Sequence, residues 1–113
     1  MRYVVLSALL VTFSWSAYGQ QGSPDADVAM RAYLGCLVRS AAQIDDQQSD
    51  AGTIATAIMS MCTSEFANST EVFSRGMNPA ARQLFYDKAK VSEVGTATTV
   101  VLKGRRDRAA AKP

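Results

Sequence analysis

The sequence contains no histidine, and this absence removes the side chain on which several common kinds of active site depend. Serine and cysteine nucleophiles most often take histidine as their general base, and it is the commonest metal ligand. With two cysteines in all, the chain also lacks the three or four ligands of a zinc site. Glycine-rich phosphate-binding loops and nucleotide-binding fingerprints are missing as well. We therefore predict a protein that is not an enzyme and that uses no metal or cofactor.

Carboxylates are the remaining acid–base candidates, and three of them, Asp45, Asp46 and Asp50, cluster in one polar stretch. A calcium loop is not expected there, because Ala51 stands where such a loop needs glycine and Ala57 where it needs a closing glutamate. We interpret the three acids as capping residues and as solvated residues of a loop.

The most prominent apolar run is confined to the N-terminus. Arg2 precedes a mostly apolar stretch from Tyr3 to Phe13, and the small residues Ala17 and Gly19 follow at the spacing that signal peptidase requires. The stretch is shorter than the roughly 20 apolar residues of a membrane-spanning helix. We predict a signal peptide over residues 1–19, no transmembrane segment after cleavage, and a periplasmic or secreted location.

Cys36 and Cys62 lie on two predicted helices that a short polar loop joins. Apolar residues recur at intervals of three and four on both sides of this loop, which is typical of amphipathic helices. They are Met30, Tyr33, Leu37, Ala41 and Ile44 before the loop, and Ile54, Ala55, Ile58, Cys62 and Phe66 after it. In an antiparallel hairpin, residues equidistant from the loop centre lie opposite each other, and the midpoint between the cysteines is Ser49.

A disulfide between Cys36 and Cys62 is therefore predicted, and an oxidising destination agrees with it. Chain entropy alone gives it a stabilisation of about 3–3.5 kcal/mol. Free buried thiols are the main alternative, because a redox pair would normally be spaced Cys-x-x-Cys.

Capping residues and prolines set the ends of the predicted helices. The dipeptide Ser23-Pro24 begins the first helix, which runs to about Ile44. Ser49-Asp50 caps the second helix, which continues to about residue 66 before a predicted break at 68–71.

The last helix begins at Asn78-Pro79, the same pairing of a cap with a proline. Residues 95–102 have the composition of a strand, but the sequence offers no second strand for it to pair with. We favour a helix that continues to about Arg106, with an inward face made of Val94, Ala97, Val101 and Leu102. The predicted fold is all-α, a small helical bundle over residues 20–104 built on the disulfide-linked hairpin, followed by a disordered basic tail over residues 105–113.

Charge is distributed unevenly along the chain, although the net charge is only +2. Residues 20–74 contain 2 basic and 7 acidic side chains, whereas residues 75–113 contain 9 basic and 3 acidic ones. Such a split indicates pairing within the fold, head-to-tail association, or a basic tail that contacts an anionic surface.

Five basic residues near the C-terminus are the candidates for weak contact with an anionic membrane surface. They are Lys103, Arg105, Arg106, Arg108 and Lys112. A solvated tail that aids solubility is the simpler interpretation, and nucleic acid is not an expected partner of an exported protein.

Several flexible and aromatic apolar residues have two interpretations, as a core or as an adaptable binding surface. They are Met59, Met61, Met77, Phe66 and Phe73. Their helical spacing favours the core.

Four short patterns resemble a group of small secreted proteins of proteobacteria. They are Tyr33-x-x-Cys36-Leu37, Ile44-Asp45-Asp46, Ser49-Asp50-Ala51-x-Thr53-Ile54-Ala55 and Cys62-x-x-Glu65-Phe66. The resemblance covers about a third of the chain, and it implies an all-helical, exported domain with a disulfide. It carries over no catalytic or binding residue.

The sequence therefore favours an exported, non-enzymatic helical protein that interacts with cell-envelope components or with other proteins. A periplasmic acid-stress chaperone is the alternative, because small disulfide-linked helical proteins can expose apolar surface in acid. An enzyme that relies on one of the carboxylates ranks below both.

Overall fold

The computed structural model describes residues 24–113, and within this range the chain forms four helices and no strand. Helix α1 spans Pro24–Ile44, α2 spans Ala51–Met61, α3 spans Thr63–Phe73 and α4 spans Pro79–Ala111. The all-α prediction is confirmed, and residues 95–102 are helical. The predicted signal peptide lies outside the described residues. None of the four helices combines the length and the apolar character that crossing a membrane would require.

The predicted hairpin of α1 and α2 is confirmed, and local hydrogen bonds explain its turn. The Asp46 carboxylate accepts hydrogen bonds from the Ser49 hydroxyl at 2.6 Å and from two backbone N–H groups of the loop. Asp50 caps α2 by accepting from the backbone N–H groups of Gly52 and Thr53. Asp46 and Asp50 therefore serve the loop as predicted, whereas the prediction of a solvated side chain is wrong for Asp45, whose side chain is buried against Arg105 and Arg108.

The second helix is shorter than predicted, because it ends at Met61 and α3 begins at Thr63. Cys62 occupies the junction with φ −117° and ψ 25°, and its backbone N–H bonds to Met59 O instead of continuing the helical ladder. The prediction of one helix to about residue 66 is wrong. The break occurs at the residue that the disulfide ties to α1, and no proline or glycine there marks it.

The predicted break at residues 68–71 is also wrong, since these residues lie inside α3. Ser69 and Thr70 donate their hydroxyls to the carbonyls of Phe66 and Ala67, at 3.0 and 2.9 Å. Hydroxyl residues that often cap a helix here bond back within it instead.

Helix α4 is 33 residues long and includes most of the predicted disordered tail. It begins as expected, with Asn78 accepting a hydrogen bond from the Ala81 N–H and Pro79 in the first turn. It ends at Ala111, so the prediction of disorder is wrong for residues 105–111. Ion pairs with Asp45, sixty residues earlier, hold this end of the helix against the α1–α2 loop.

The core lies between α1, α2 and the second half of α4. Its wholly buried members include Leu37, Ala55, Ile58, Ala97 and Val101. Of the four residues predicted to face inward on α4, Ala97 and Val101 do so, whereas Val94 and Leu102 are 47% and 52% exposed. The prediction fails for these two because α4 buries a narrow stripe with a spacing of four residues.

Candidate binding groove

A groove opens between α3 and the first half of α4, beyond the break at Cys62. Helix α2 packs along the second half of α4, whereas α3, beyond the break, contacts α4 at few points. Helix α1 packs against α3 and lies beneath the gap. The groove therefore has α3 and α4 as its walls and α1 as its floor.

Apolar and aromatic side chains line most of this groove, which has a volume of about 550 Å³. Its main contacts come from Met30 and Tyr33 on α1, Phe66 and Phe73 on α3, and Phe85 on α4. A second depression of about 490 Å³ lies between the end of α3 and the start of α4, and it also reaches Phe85. The two depressions adjoin, since Thr70 and Phe85 line both of them.

Much of this lining is open to solvent. Phe73 is 38% exposed, and Met30 and Tyr86 are exposed to a similar degree. Solvation of such large apolar side chains is unfavourable, at roughly 25 cal/mol for each Å² left in water. An exposed apolar groove of this kind is typical of an interaction site.

A buried polar contact joins the floor of the groove to its α4 wall. The Tyr33 hydroxyl donates to the Glu93 carboxylate at 3.2 Å, and Lys90 donates to the other oxygen of the same carboxylate at 3.0 Å. The Glu93 side chain is almost fully buried. Burial, together with the neighbouring Glu93 carboxylate, raises the pKa of Tyr33 well above its usual range.

Aromatic contacts extend from this floor along the groove. The Phe66 ring meets Tyr33 and Tyr86 edge to face, with centroids 5.6 and 6.1 Å apart. The Lys90 ammonium lies 5.1 Å from the centre of the Phe66 ring. The hydrogen bond from Lys90 to Glu93 raises the pKa of this ammonium, so it remains a cation.

The two rims of the groove carry opposite charges. Arg82 and Lys88 lie on the α4 wall, and Glu71 lies on the α3 wall. None of these three side chains forms an ion pair within residues 24–113. Their charges are therefore available to a partner.

The predicted disulfide is confirmed as a Cys36–Cys62 bond with its Cα atoms 5.9 Å apart. Cys62 is fully buried, and the Ser40 hydroxyl lies 3.5 Å from its sulfur. Glu65 also approaches the two sulfurs, but oxidised cysteines offer no thiolate to a metal. The disulfide therefore links α1 to the junction of α2 and α3 and has a structural role.

Two of the five basic residues proposed for membrane contact bind within the fold. Arg105 donates to both carboxylate oxygens of Asp45, at 2.7 to 3.2 Å, and to the Ser49 carbonyl at 2.7 Å. Arg108 donates to the same carboxylate at 2.6 Å, and the Asp45 side chain is fully buried. The hydrogen bonds from Arg105 lower the pKa of Asp45.

The other three basic residues lie on the solvent side of the C-terminal turns. Lys103 pairs with Asp107 at 2.6 Å along the helix, whereas Arg106 and Lys112 form no ion pair with the residues that the structure describes. Contact with an anionic surface stays a prediction for these side chains.

Of the methionines and phenylalanines that could belong either to the core or to a binding surface, some lie in the core and others are exposed. Phe66 is buried and Met59 packs against the core, whereas Met61, Met77 and Phe73 are exposed. The preference for the core therefore holds for only part of the set.

Glu93 is a groove residue that the sequence reasoning did not single out. It belongs to a spacing of four residues along α4 that runs from Phe85 through Ala89 to Ala97 and Val101. That spacing could have indicated that Glu93 faces inward, but a charged residue is not expected within an apolar stripe.

The chain matches no family model, and no curated protein or solved structure is significantly similar to it. The proposals for its function therefore rest on the geometry of the groove and on the sequence.

Proposed function

We propose that this protein is an exported, non-enzymatic binding protein that holds a partner from the cell envelope in the groove between α3 and α4. The observation that carries the proposal is the open apolar groove, in which Met30, Phe73 and Tyr86 remain exposed. A domain of this size gains little stability from side chains left in solvent. Burial of these side chains against a partner would recover that free energy.

Export is supported by the disulfide and by the N-terminal sequence. Disulfides persist in oxidising compartments and are rare in the cytosol. The basic residue, apolar run and small residues at 1–19 have the order of a signal peptide. Intact mass of the exported protein, measured with and without reductant, tests both points. We expect a chain that begins at Gln20 and gains the mass of two hydrogen atoms on reduction. A chain that retains residues 1–19 would contradict the proposed export route.

The binding function is tested by affinity capture from envelope extracts with two matched variants. Phe73→Ser removes an exposed aromatic ring from the groove, whereas Val91→Ser removes an apolar side chain that is 82% exposed on the outer side of α4. We expect the wild-type protein and Val91→Ser to recover the same components, at both low and high salt, and Phe73→Ser to lose them. No recovery in either condition, or equal recovery by Phe73→Ser, would overturn the proposal.

A periplasmic acid chaperone is the alternative, and the same groove would supply the apolar surface that it needs. Aggregation of a client protein at acid pH distinguishes the two functions. Suppression by wild-type protein in acid, without any specific partner at neutral pH, would favour the chaperone. If Phe73→Ser no longer suppressed aggregation, the chaperone activity would be assigned to the groove.

A further inference from the structure

We infer that the partner held in the groove is an amphipathic helix with carboxylates along the edge that faces α4. The inference rests on the proposed binding function and names the chemistry of the partner. Three features of the groove support it: its shape, the spacing of its apolar side chains and the charges on its rims.

The shape suits a helix better than a compact small molecule. The larger depression, of about 550 Å³, is open to solvent between α3 and α4, and it shares Thr70 and Phe85 with the smaller depression of about 490 Å³. Sites for small molecules usually enclose most of the ligand surface, whereas grooves between helices take an amphipathic helix. A helix laid between α3 and α4, above α1, would complete a four-helix arrangement.

The apolar side chains of the groove have the spacing that helix packing uses. Met30 and Tyr33 are three residues apart on α1, Phe66 and Phe73 are seven apart on α3, and Phe85 and Ala89 are four apart on α4. Rows with these intervals form ridges into which the side chains of another helix can interdigitate.

The rims determine which charges the partner should carry. Arg82 and Lys88 lie six residues apart on α4, which separates their Cα atoms by about 9 Å along the helix axis. The nearby Asp87 accepts a hydrogen bond from Gln83, and Lys90 already pairs with Glu93. Each depression therefore has on its α4 wall one cation without an ion pair among residues 24–113, Arg82 in the smaller depression and Lys88 in the larger. Glu71 lies across from Arg82 on α3.

The absence of tryptophan from the mature chain allows a direct binding test. The one tryptophan of the sequence is Trp15, within the predicted signal peptide. A synthetic amphipathic peptide of about four turns that contains a single tryptophan can therefore be followed by fluorescence alone. One probe carries glutamates along one edge of its apolar face, and a second carries lysines at the same positions.

Wild-type mature protein should bind the glutamate-edged peptide about tenfold more tightly than the lysine-edged one, and high salt should reduce this preference. The double variant Arg82→Glu/Lys88→Glu should reverse the order of the two peptides. The double variant Arg106→Glu/Lys112→Glu makes the same change of net charge far from the groove, and it should keep the wild-type order.

Equal binding of both peptides by wild-type protein would overturn the inference, as would loss of the preference in the Arg106→Glu/Lys112→Glu control. Binding of phosphatidylglycerol vesicles but of neither peptide would assign the groove to lipid instead. Self-association that Phe73→Ser abolishes would assign it to a second copy of the chain. If Phe73→Ser loses envelope partners while neither peptide binds, this inference fails and the proposed function stands.

Discussion

The two halves of α4 differ in almost every physical respect, although one uninterrupted helix contains both. The second half buries Ala97 and Val101 completely against the core and ends in ion pairs with the buried Asp45 carboxylate. The first half, over residues 79–92, has no fully buried residue and leaves Leu84 and Val91 exposed. One half of the helix therefore stabilises the fold, and the other half forms a wall of the groove.

The cause of this difference lies on the opposite helix pair. Helix α2 packs against α4, whereas α3, beyond the junction at Cys62, packs against α1 and contacts α4 at few points. The disulfide that stabilises the fold is thus located where the groove begins. The well-packed half of α4 and the half that lines the groove therefore lie against different helices.

Loss of the disulfide should have the largest effect on stability. Reduction, or the double variant Cys36→Ala/Cys62→Ala, should lower the free energy of unfolding by about 3 kcal/mol, because the unfolded chain regains the entropy of an open loop. Urea unfolding with and without reductant measures this loss. The double variant serves as control, since reductant should not affect it. An unchanged urea midpoint after reduction would contradict the assigned role.

A matched pair of valines tests the contrast between the halves of α4 directly. Val101→Ala should cost about 2 kcal/mol, because Val101 is fully buried and the substitution leaves a cavity. Val91→Ala, at a side chain that is 82% exposed, should change stability by less than about 0.5 kcal/mol. Urea unfolding of both variants provides the comparison. Equal costs would mean that the two halves are packed alike.

A matched pair of arginines tests the anchor at the end of α4. Arg105→Gln should cost about 1.5 kcal/mol, because it removes charged hydrogen bonds to the buried Asp45 carboxylate. Arg106→Gln, next to it but without an ion pair among residues 24–113, should have little effect on stability. Amide hydrogen exchange should show faster opening of residues 105–111 in Arg105→Gln alone. Equal exchange in the two variants would contradict the conclusion that the pair of Arg105 with Asp45 holds residues 105–111 in the helix.

A moderate fall in pH should produce the smallest of these effects on the free energy of unfolding. Hydrogen bonds from Arg105 lower the pKa of Asp45 below its usual 3.8, and hydrogen bonds from Ser49 lower that of Asp46 to about 2. The unfolded chain therefore takes up protons first as the pH falls. The stabilisation from these carboxylates is present above about pH 4 and is lost as the pH falls through the folded pKa values.

Unfolding free energies measured between neutral pH and about pH 2 test this dependence. Arg105→Gln should show a shallower decline than wild-type protein, because the pKa of Asp45 then moves back toward its usual value. A steeper decline in the variant would contradict the assignment of the shift to Arg105.

Local chemistry in the sequence was sufficient to predict the hairpin and most helix ends. Pro24, Asp50 and Asn78-Pro79 act through their own backbone geometry and hydrogen bonds to neighbours a few residues away. The antiparallel arrangement of two amphipathic helices with a short loop then brought Cys36 and Cys62 opposite each other. These features depend on residues that are near one another in the sequence, so the pattern of residue types along the chain is enough to predict them.

The tertiary structure alone decided the junction at Cys62, the ordered end of α4 and the groove. No residue type marks the junction, which follows from α2 packing on α4 while α3 packs on α1. The sequence of residues 105–111 is typical of a solvated basic tail. In the structure these residues are helical, because Arg105 pairs with Asp45, sixty residues earlier in the chain. Contacts over such distances depend on how helices pack in three dimensions, and hydrophobic periodicity within one helix does not encode that choice.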